Sequence, residues 1–553
     1  MLPRSVLTEP VPALSSLRTP IGIIDRPYDQ RRDPLVVDLS GSTGNMAVVG
    51  GPQSGKSTAI RTLVTSLAAT HSAEQVQFYC LDFGGGTLAG LSGLPHVGSV
   101  ANRLDVDRVR RTIAEMNTIV RQREERFREL GVESMAEFRR LRATDPGSGG
   151  AAAGVAQDPF GDVFLVIDGF GSIRQDFEAL EQQITNLASQ GLSYGVHVVL
   201  TASRWGEVRP ALKDQLGTRI ELRLGDPSDS DLGRKTAALV PEGRPGRGMT
   251  RESLHLLVGL PRIDGSSDPT DLASGVAHAV SSIAAATHGR PAPAVRMLPA
   301  QIARDDVLRA AGGWPSYLDP AQACLQIPIG LDEAELAPTF LNFAEQPHFL
   351  VFGDSECGKT TLLRNICEGI MASNTSKQAK IILADYRRTM LGVVETEHLA
   401  SYAPSEDVLT TNMRDLAILL KGRMPGPGFN RQQQRDRSWW TGPEVFVVID
   451  DYDLVVTSSG NPVAAIVEFL PHARDIGFHL IIARRSGGAA RAMYEPVIAR
   501  LRDLQSTGLV MSGNREEGNL IGTVRPSAMP PGRGTLVNRA GTGLIQLAWM
   551  PPL

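Results

Sequence analysis

Cysteine is scarce in this sequence, and long apolar runs are missing from it. The 553 residues include four cysteines, none of them in a C-x-x-C pair or at metal-ligand spacing. This pattern indicates free thiols in a reducing compartment rather than a disulfide framework. No apolar run approaches the roughly 20 residues that cross a bilayer, and the N-terminus has no signal-peptide pattern. We therefore expect any membrane role to depend on a partner or on sequence outside this chain.

A strong charge of either sign is also missing. The formal net charge is −4, from 56 basic and 60 acidic residues, which gives no overall electrostatic footprint for nucleic acid. Apolar residues make up 42% and charged residues 21%, as in an ordinary globular protein. The chain is longer than one hydrophobic core supports, so we expect two to four domains.

The sequence does contain a phosphate-binding motif, G-x-x-x-x-G-K-[ST], at residues 50–57. An apolar run at 46–49 predicts the strand that precedes such a loop, and the helical spacing at 58–64 predicts the helix that follows it. The loop amides and the helix N-terminus are expected to hold phosphate, with Lys56 on the β- and γ-phosphates and Ser57 on Mg²⁺. The first predicted nucleotide site consists of Gly50, Gly51, Pro52, Gln53, Ser54, Gly55, Lys56 and Ser57.

A second copy of the motif occupies residues 353–360. It follows the apolar run 348–352 and precedes a helical pattern at 361–366, so strand, loop and helix recur in the same order. Two matches in this context argue against a chance glycine turn. Lys359 is expected to contact phosphate and Thr360 to ligate Mg²⁺. The second predicted site consists of Gly353, Asp354, Ser355, Glu356, Cys357, Gly358, Lys359 and Thr360.

The two loops belong to a long internal repeat. Their lysines are 303 residues apart, and the strand at 76–82 recurs at 381–385 with the same shift. The strand at 163–168 recurs at 445–450 with a shift of 282. The first half therefore carries 21 extra residues. We assign them to the Gly-, Ala- and Pro-rich segment 144–157.

Short apolar strands alternate with helical patterns in each half, the clearest helix lying at 106–130. This alternation predicts an α/β fold with mainly parallel sheets flanked by helices on both faces. Its chemistry is expected at the C-terminal ends of the strands. We place the first domain at residues 1–290, closed by an Ala-rich helix at 272–286, and the second at 291–553.

Asp168 and Asp450 end the strongly apolar strands that follow the two loops. This is the Walker B position, where a carboxylate joins the loop hydroxyl in holding Mg²⁺. Hydrolysis also needs a group that orients the attacking water, usually a Glu directly after this Asp. Gly169 stands there in the first half, and Asp451, one methylene shorter than Glu, in the second. Since a displacement of about 1 Å can cost on the order of a hundredfold in rate, we predict weak or absent hydrolysis, with Asp451 as a candidate catalytic carboxylate.

Several other residues have two interpretations. Arg204, after an apolar strand, is a candidate to reach a γ-phosphate, or else a surface arginine at a strand end. His197 and His479 align between the halves inside apolar strands, which favours hydrogen-bonded core histidines over catalytic ones. The pair Trp439 and Trp440 indicates either a partner surface or local packing.

The order of these motifs resembles the FtsK/SpoIIIE branch of RecA-like motor ATPases. The resemblance rests on the segment GLPHV at 93–97 and on GVHVVL at 195–200 before Arg204. The lead-in at 21–35, the tandem units and the degenerate Walker B positions narrow it to the EccC family of the type VII (ESX) secretion system. Nearly the whole chain is similar to the second and third ATPase domains of that family.

The resemblance implies two tandem RecA-like P-loop NTPase domains that bind ATP with Mg²⁺. In the family a first ATPase domain does the catalytic work and the later ones regulate it, so this chain is expected to be a fragment or the soluble subunit of a split version. The implied partners are membrane-embedded secretion machinery, a first ATPase domain or subunit, and small helical WXG-type substrate dimers. No nucleic acid is expected, and a homo-oligomer such as a hexamer is an option. The implied location is cytoplasmic, peripheral to the inner membrane.

Two alternatives stay open at this point. An FtsK-like DNA translocase predicts a winged-helix tail and an intact catalytic Glu, and neither is visible in the sequence. A nucleotide-independent interaction scaffold predicts vestigial loops that bind no ATP.

Overall fold

The computed structural model describes residues 17–143, 154–155, 158–315, 323–426, 439–458 and 460–551. The chain divides into two units, unit 1 (Met1–Met297) and unit 2 (Leu298–Leu553). The domain boundary expected from sequence, between residues 290 and 291, lies seven residues before this division.

Unit 1 contains one sheet of ten strands in the order β2-β1-β10-β9-β8-β3-β7-β6-β4-β5. From β8 to β5 neighbouring strands are parallel, and from β2 to β8 they are antiparallel. The strands are β1 Arg18–Arg26, β2 Arg31–Asp38, β3 Met46–Val49, β4 Val76–Asp82, β5 Val97–Asn102, β6 Asp162–Asp168, β7 Val196–Ala202, β8 Thr218–Leu222, β9 Arg247–Met249 and β10 His255–Val258.

Helices cover both faces of this sheet, because the central strands are apolar on both sides and each face needs a cover. Strands β3, β4, β6 and β7 are buried throughout. The helices are α1 Lys56–Ala68, α2 Val106–Leu130, α3 Met135–Arg142, α4 Gly171–Asp176, α5 Glu178–Gln190, α6 Pro210–Lys213, α7 Arg234–Ala237 and α8 Leu272–Ala286.

Unit 2 repeats this sheet, in the order β13-β12-β21-β20-β19-β14-β18-β17-β15-β16, with β11 beside β21. The strands are β11 Ile302–Ala303, β12 Gln326–Asp332, β13 Pro338–Asn342, β14 His348–Phe352, β15 Ala379–Ala384, β16 Leu399–Ala403, β17 Glu444–Ile449, β18 Phe478–Arg484, β19 Thr507–Met511, β20 Arg533–Asn538 and β21 Gly541–Trp549. The helices are α9 Arg304–Ala311, α10 Lys359–Ser373, α11 Glu406–Gly422, α12 Tyr452–Val455, α13 Ala473–Ile476, α14 Ala489–Ala492 and α15 Pro496–Asp503, with a 3₁₀ helix at Pro462–His472.

The predicted α/β class with mainly parallel sheets is confirmed, and each sheet also has an antiparallel part at one end. Helix α2 has 25 residues and α11 has 17, and α3 follows α2, so part of the extra length of unit 1 is helical. The segment 144–157, to which we assigned the insertion, lies mostly outside the described residues. Among the described helices, none combines the length and the apolar character that crossing a membrane requires.

Candidate functional sites

The phosphate loop of unit 1 connects β3 to α1 at the C-terminal edge of the parallel strands. Gly55 has a φ of +101°, and a Cβ there would lie 2.8 Å from the backbone N of Gly246. Only glycine suits that conformation and that closeness. The Lys56 ammonium donates hydrogen bonds to the carbonyls of Gly50 (2.7 Å) and Gly51 (2.8 Å), which holds the loop closed around the lysine.

Asp168, at the end of β6, faces the same loop. The Thr201 hydroxyl donates to its Oδ1 at 2.6 Å and accepts from the Gly169 amide at 2.7 Å. The Oδ2 of Asp168 is buried and has no hydrogen-bond partner among the residues that the structure describes. A Cβ at Gly84 would lie 2.3 Å from this oxygen, so the glycine leaves room for the carboxylate.

A cavity of about 600 Å³ opens between this loop and the strand ends. Its walls include three side chains that the sequence analysis missed: Arg61, Thr201 and Glu207. Arg61 lies on α1 beyond the motif, whereas Glu207 enters from a 3₁₀ turn after β7, where no motif marks it. The Ser203 amide donates to the Glu207 carboxylate at 2.8 Å.

Charges in this cavity compensate one another. Burial lowers the pKa of the Lys56 ammonium, and the carboxylates of Asp168 and Glu207 act in the opposite direction. Burial likewise lowers the pKa of the Arg61 guanidinium, against the charges of Asp168 and Asp82. A half-buried lysine and a half-buried arginine beside a loop of N–H donors form a site suited to an anion such as a triphosphate.

The loop of unit 2 has the same geometry with a closer carboxylate. Lys359 donates to the carbonyls of Gly353 (2.9 Å) and Asp354 (2.7 Å). The Thr360 hydroxyl donates to Oδ2 of Asp450 at 2.7 Å, so the two residues assigned to Mg²⁺ are in direct contact. The structure therefore brings together the predicted loop lysine, loop hydroxyl and strand-end carboxylate.

Acidic groups surround Asp450. Burial raises the pKa of its carboxyl, the charges of Asp451 and Asp385 raise it further, and the hydrogen bond from Thr360 lowers it. Asp451 has a φ of +47° and forms an ion pair with Arg387 at 2.9 Å. That pairing occupies the side chain we named as a candidate catalytic carboxylate.

The other candidates lie away from the phosphate loops. Arg204 is exposed, and it is not among the described residues that line the cavity of unit 1. His197 contacts Asp162 at 3.0 Å, and His479 contacts Glu444 at 3.1 Å, both in buried positions, as core histidines do.

The adjacent tryptophans pack locally. The Trp439 indole donates to the Arg423 carbonyl at 2.7 Å, and the Trp440 indole donates to the Asp475 carbonyl at 2.9 Å. The Arg423 guanidinium also lies over the Trp440 ring, 4.1 Å from its centroid. These contacts satisfy both indole N–H groups within the chain.

The donor set fits a magnesium nucleotide. Mg²⁺ prefers hard oxygen ligands, few of them from protein and the rest from water and phosphate. Each loop supplies one hydroxyl, from Ser57 or Thr360, and each strand end one carboxylate. In unit 1 the buried, unpartnered Oδ2 of Asp168 is the kind of oxygen that such a cation would satisfy.

Comparisons with known proteins agree with this chemistry. The profile of the FtsK/SpoIIIE family matches residues 12–264. The chain is 38% identical over 559 residues to the ESX-1 secretion system protein EccCb1 of Mycobacterium tuberculosis, covering 99% of this chain and 93% of that protein. It is 54% identical over 534 residues to the ESX secretion system protein EccC of Thermomonospora curvata, covering 96% of this chain.

A solved structure is similar over almost the whole chain. It contains ATPases 2 and 3 of Thermomonospora curvata EccC in complex with a signal sequence peptide, and it superposes with a TM-score of 0.89 at 53% identity. The match covers 97% of this chain and 94% of that one.

The fold and the paired phosphate loops define a tandem P-loop ATPase of the FtsK/SpoIIIE class. Within that class, the chain belongs to the EccC family of ESX, or type VII, secretion system proteins. The expected family is thus confirmed. The chain spans 39% of the length of Thermomonospora curvata EccC and 42% of the ESX-4 protein EccC4 of Mycobacterium tuberculosis.

Proposed function

We propose that this chain binds ATP in both units and recognises secreted substrates for a type VII secretion ATPase, thereby regulating the motor. It acts at the cytoplasmic face of the inner membrane, beside membrane-embedded machinery and a first ATPase domain or subunit. Lys56, Ser57 and Asp168 hold one nucleotide. Lys359, Thr360 and Asp450 hold the other. A homo-oligomer such as a hexamer is compatible with this role.

Binding rather than turnover is the role of the two sites. The loop amides and lysines would neutralise the triphosphate, and the loop hydroxyls with the strand-end carboxylates would hold Mg²⁺, which would supply further positive charge. Gly169 offers no carboxylate after the first Walker B strand, and Asp451 is engaged by Arg387. Hydrolysis in this chain is therefore weak or absent, and bound ATP holds each unit in a fixed geometry.

Substrate recognition rests on a helical face that is covered in unit 1. There the chain segment 291–297 lies against β5 and α2: Ala292 donates to the Pro95 carbonyl (2.7 Å), and Arg111 donates to the Arg296 carbonyl (2.7 Å). Each buried position of α11 matches a buried position of α2 that lies 300 residues earlier in the chain.

The corresponding face of unit 2 is exposed. Thr118 and Ile119 of α2 are buried and half-buried, whereas their counterparts Ile418 and Leu419 on α11 are 68% and 46% exposed. This apolar exposure is the observation that carries the proposal, because such a face suits an amphipathic helix. The occupant we assign is the signal segment of a small helical WXG-type substrate, since the similar EccC structure contains a signal sequence peptide.

Peptide binding to a charged variant of this face tests the proposal. Signal peptides of WXG-type proteins are titrated against the chain by fluorescence anisotropy. Leu419→Glu is expected to weaken binding about tenfold or more, because it places a charge in an apolar contact. Leu239→Glu, at an exposed leucine of unit 1, is the matched control and leaves binding unchanged. Equal affinity of the wild type and Leu419→Glu would contradict substrate recognition on α11.

A further inference from the structure

A separate cavity of about 310 Å³ opens beside the phosphate loop of unit 2. One wall is formed by the loop and α10, and the opposite wall by the end of β21 and the turn before β20. The side chains and glycine that matter for its chemistry are Gln301, Glu356, Thr361, Gly532, Gln546 and Trp549.

The far wall is attached to the phosphate loop itself. The Gly532 amide donates to the Cys357 carbonyl at 2.8 Å, and the Leu547 amide donates to the Gly532 carbonyl at 2.7 Å. Gly532 has a φ of +75°, and a Cβ there would lie 2.6 Å from the Gln546 side-chain nitrogen. This wall is therefore held in place by backbone hydrogen bonds and does not depend on a surface loop.

Sheet order gives the direction in which a nucleotide would extend. Strand β14, which leads into the loop, has β18 and then β17 on one side, and β19, β20 and β21 on the other. Asp450 follows β17, so the carboxylate that would hold Mg²⁺ beside the γ-phosphate lies on the β17 side. The cavity lies on the β21 side, which is where the ribose and the base must extend.

We propose that this cavity binds the base of the nucleotide whose phosphates the second loop holds, with the Trp549 indole as its stacking surface. This base site rests on the function proposed above, namely that unit 2 binds ATP. Trp549 lines the cavity and is 43% exposed, as a ring available for stacking would be. The Gln301 amide offers one donor and one acceptor, the pair that hydrogen-bonds the N6 and N7 edge of adenine.

Unit 1 differs at the equivalent position. The registers Gly22–Val258 and Gly330–Leu547 are equivalent in the two sheets, since each follows a bulge after a proline. Two residues beyond Val258 stands Leu260, and two residues beyond Leu547 stands Trp549. Base stacking on an aromatic ring is therefore a property of unit 2, which distinguishes two otherwise similar sites.

Comparing ATP with inorganic tripolyphosphate separates base binding from phosphate binding. The full chain carries Lys56→Ala, so that only unit 2 binds, and Mg²⁺ is present throughout. Affinities for both ligands are measured by calorimetry in this parent and with Trp549→Ala, Trp549→Phe or Tyr494→Ala added. Tyr494 is the matched control, an aromatic side chain of unit 2 that is 87% exposed.

Trp549→Ala is expected to weaken ATP binding about fivefold or more, as loss of a stacked base does, and to leave tripolyphosphate unchanged. Trp549→Phe restores most of the ATP affinity, and Tyr494→Ala changes neither ligand. Equal weakening of both ligands, or of neither, would overturn the base site while leaving nucleotide binding intact. If the Lys56→Ala parent binds neither ligand, ATP binding by unit 2 fails and the base site with it.

Discussion

The buried side chain of His348 shows how a single residue links unit 2 to pH. Its Nε2–H donates to the Leu470 carbonyl at 3.1 Å, and its Nδ1 accepts from the Leu480 amide at 3.2 Å. Both contacts require the neutral ring, because a protonated Nδ1 cannot accept a hydrogen bond. Burial, with a smaller effect of the neighbouring His479, lowers the pKa of His348 to about 3.

A histidine with a lowered pKa in the folded state costs stability on acidification. In the unfolded chain His348 is protonated below its ordinary pKa of about 6.5, whereas in the folded chain it stays neutral down to about pH 3. Between pH 7 and pH 5 this group is expected to remove about 2 kcal/mol from the free energy of unfolding. Urea denaturation at both pH values measures it.

His348→Gln removes this titration, so the variant loses about 2 kcal/mol less between the two pH values than the wild type does. His472→Gln is the matched control, since His472 is exposed, and it keeps the wild-type loss. If His348→Gln lost as much unfolding free energy between the two pH values as the wild type does, other groups would be responsible for the acid sensitivity.

At the scale of elements, the segment 291–297 acts as a cover for α2. Arg111 is the main link: its side chain is 1% exposed, and it contacts both the Arg296 carbonyl and the Glu115 carboxylate. Tyr79 adds one hydrogen bond, from its hydroxyl to the Pro293 carbonyl at 2.9 Å. The cover thus depends on backbone carbonyls that side chains of β4 and α2 hold.

Arg111→Ala is expected to release this cover, because it removes the buried donor and leaves the Arg296 carbonyl unpaired. The free energy of unfolding should fall by about 1–3 kcal/mol. Trypsin should then cut faster after Arg296, as followed by mass spectrometry of a time course. Tyr79→Phe, which removes a single hydrogen bond, should accelerate cleavage much less. Unchanged cleavage in Arg111→Ala would mean that other contacts hold the segment.

Elements with a strong apolar pattern were predictable at their observed bounds. Strands β3, β4 and β14 and helices α2 and α8 have the limits that the sequence indicated. The antiparallel strands were missed, because β2 is mostly exposed and β9 has three residues, so neither produces a clear alternation. Such strands are set by pairing with distant neighbours rather than by their own composition.

The residues of the candidate sites also fall into a predictable group and an unpredictable one. Loop residues such as Lys56 and Lys359 belong to one contiguous motif, so their proximity follows from local chain geometry. Thr201 and Glu207 reach the first site only because β7 lies between β3 and β6 in the sheet. The spacing of residues along the chain does not indicate which strands are neighbours in the sheet. A one-residue change of register would also direct other side chains into the cavity.

At the scale of the whole molecule, one chain carries two copies of the same nucleotide-binding fold with different surroundings. Unit 1 has Glu207 in its cavity and a covered α2, whereas unit 2 has a Thr360–Asp450 contact, a half-exposed Trp549 and an open α11 face. This division is consistent with the proposal that one chain responds to both nucleotide and substrate.

Counting bound ATP per chain tests the central claim most directly. Calorimetry with Mg²⁺ on the wild type is expected to give two ATP per chain, because each unit brings a loop lysine, a hydroxyl and a carboxylate together. Lys56→Ala and Lys359→Ala should each leave one, and the double variant none, since each loop then lacks the charge that neutralises the phosphates. The account would be contradicted if the double variant bound as much ATP as the wild type, or if the wild type bound no ATP.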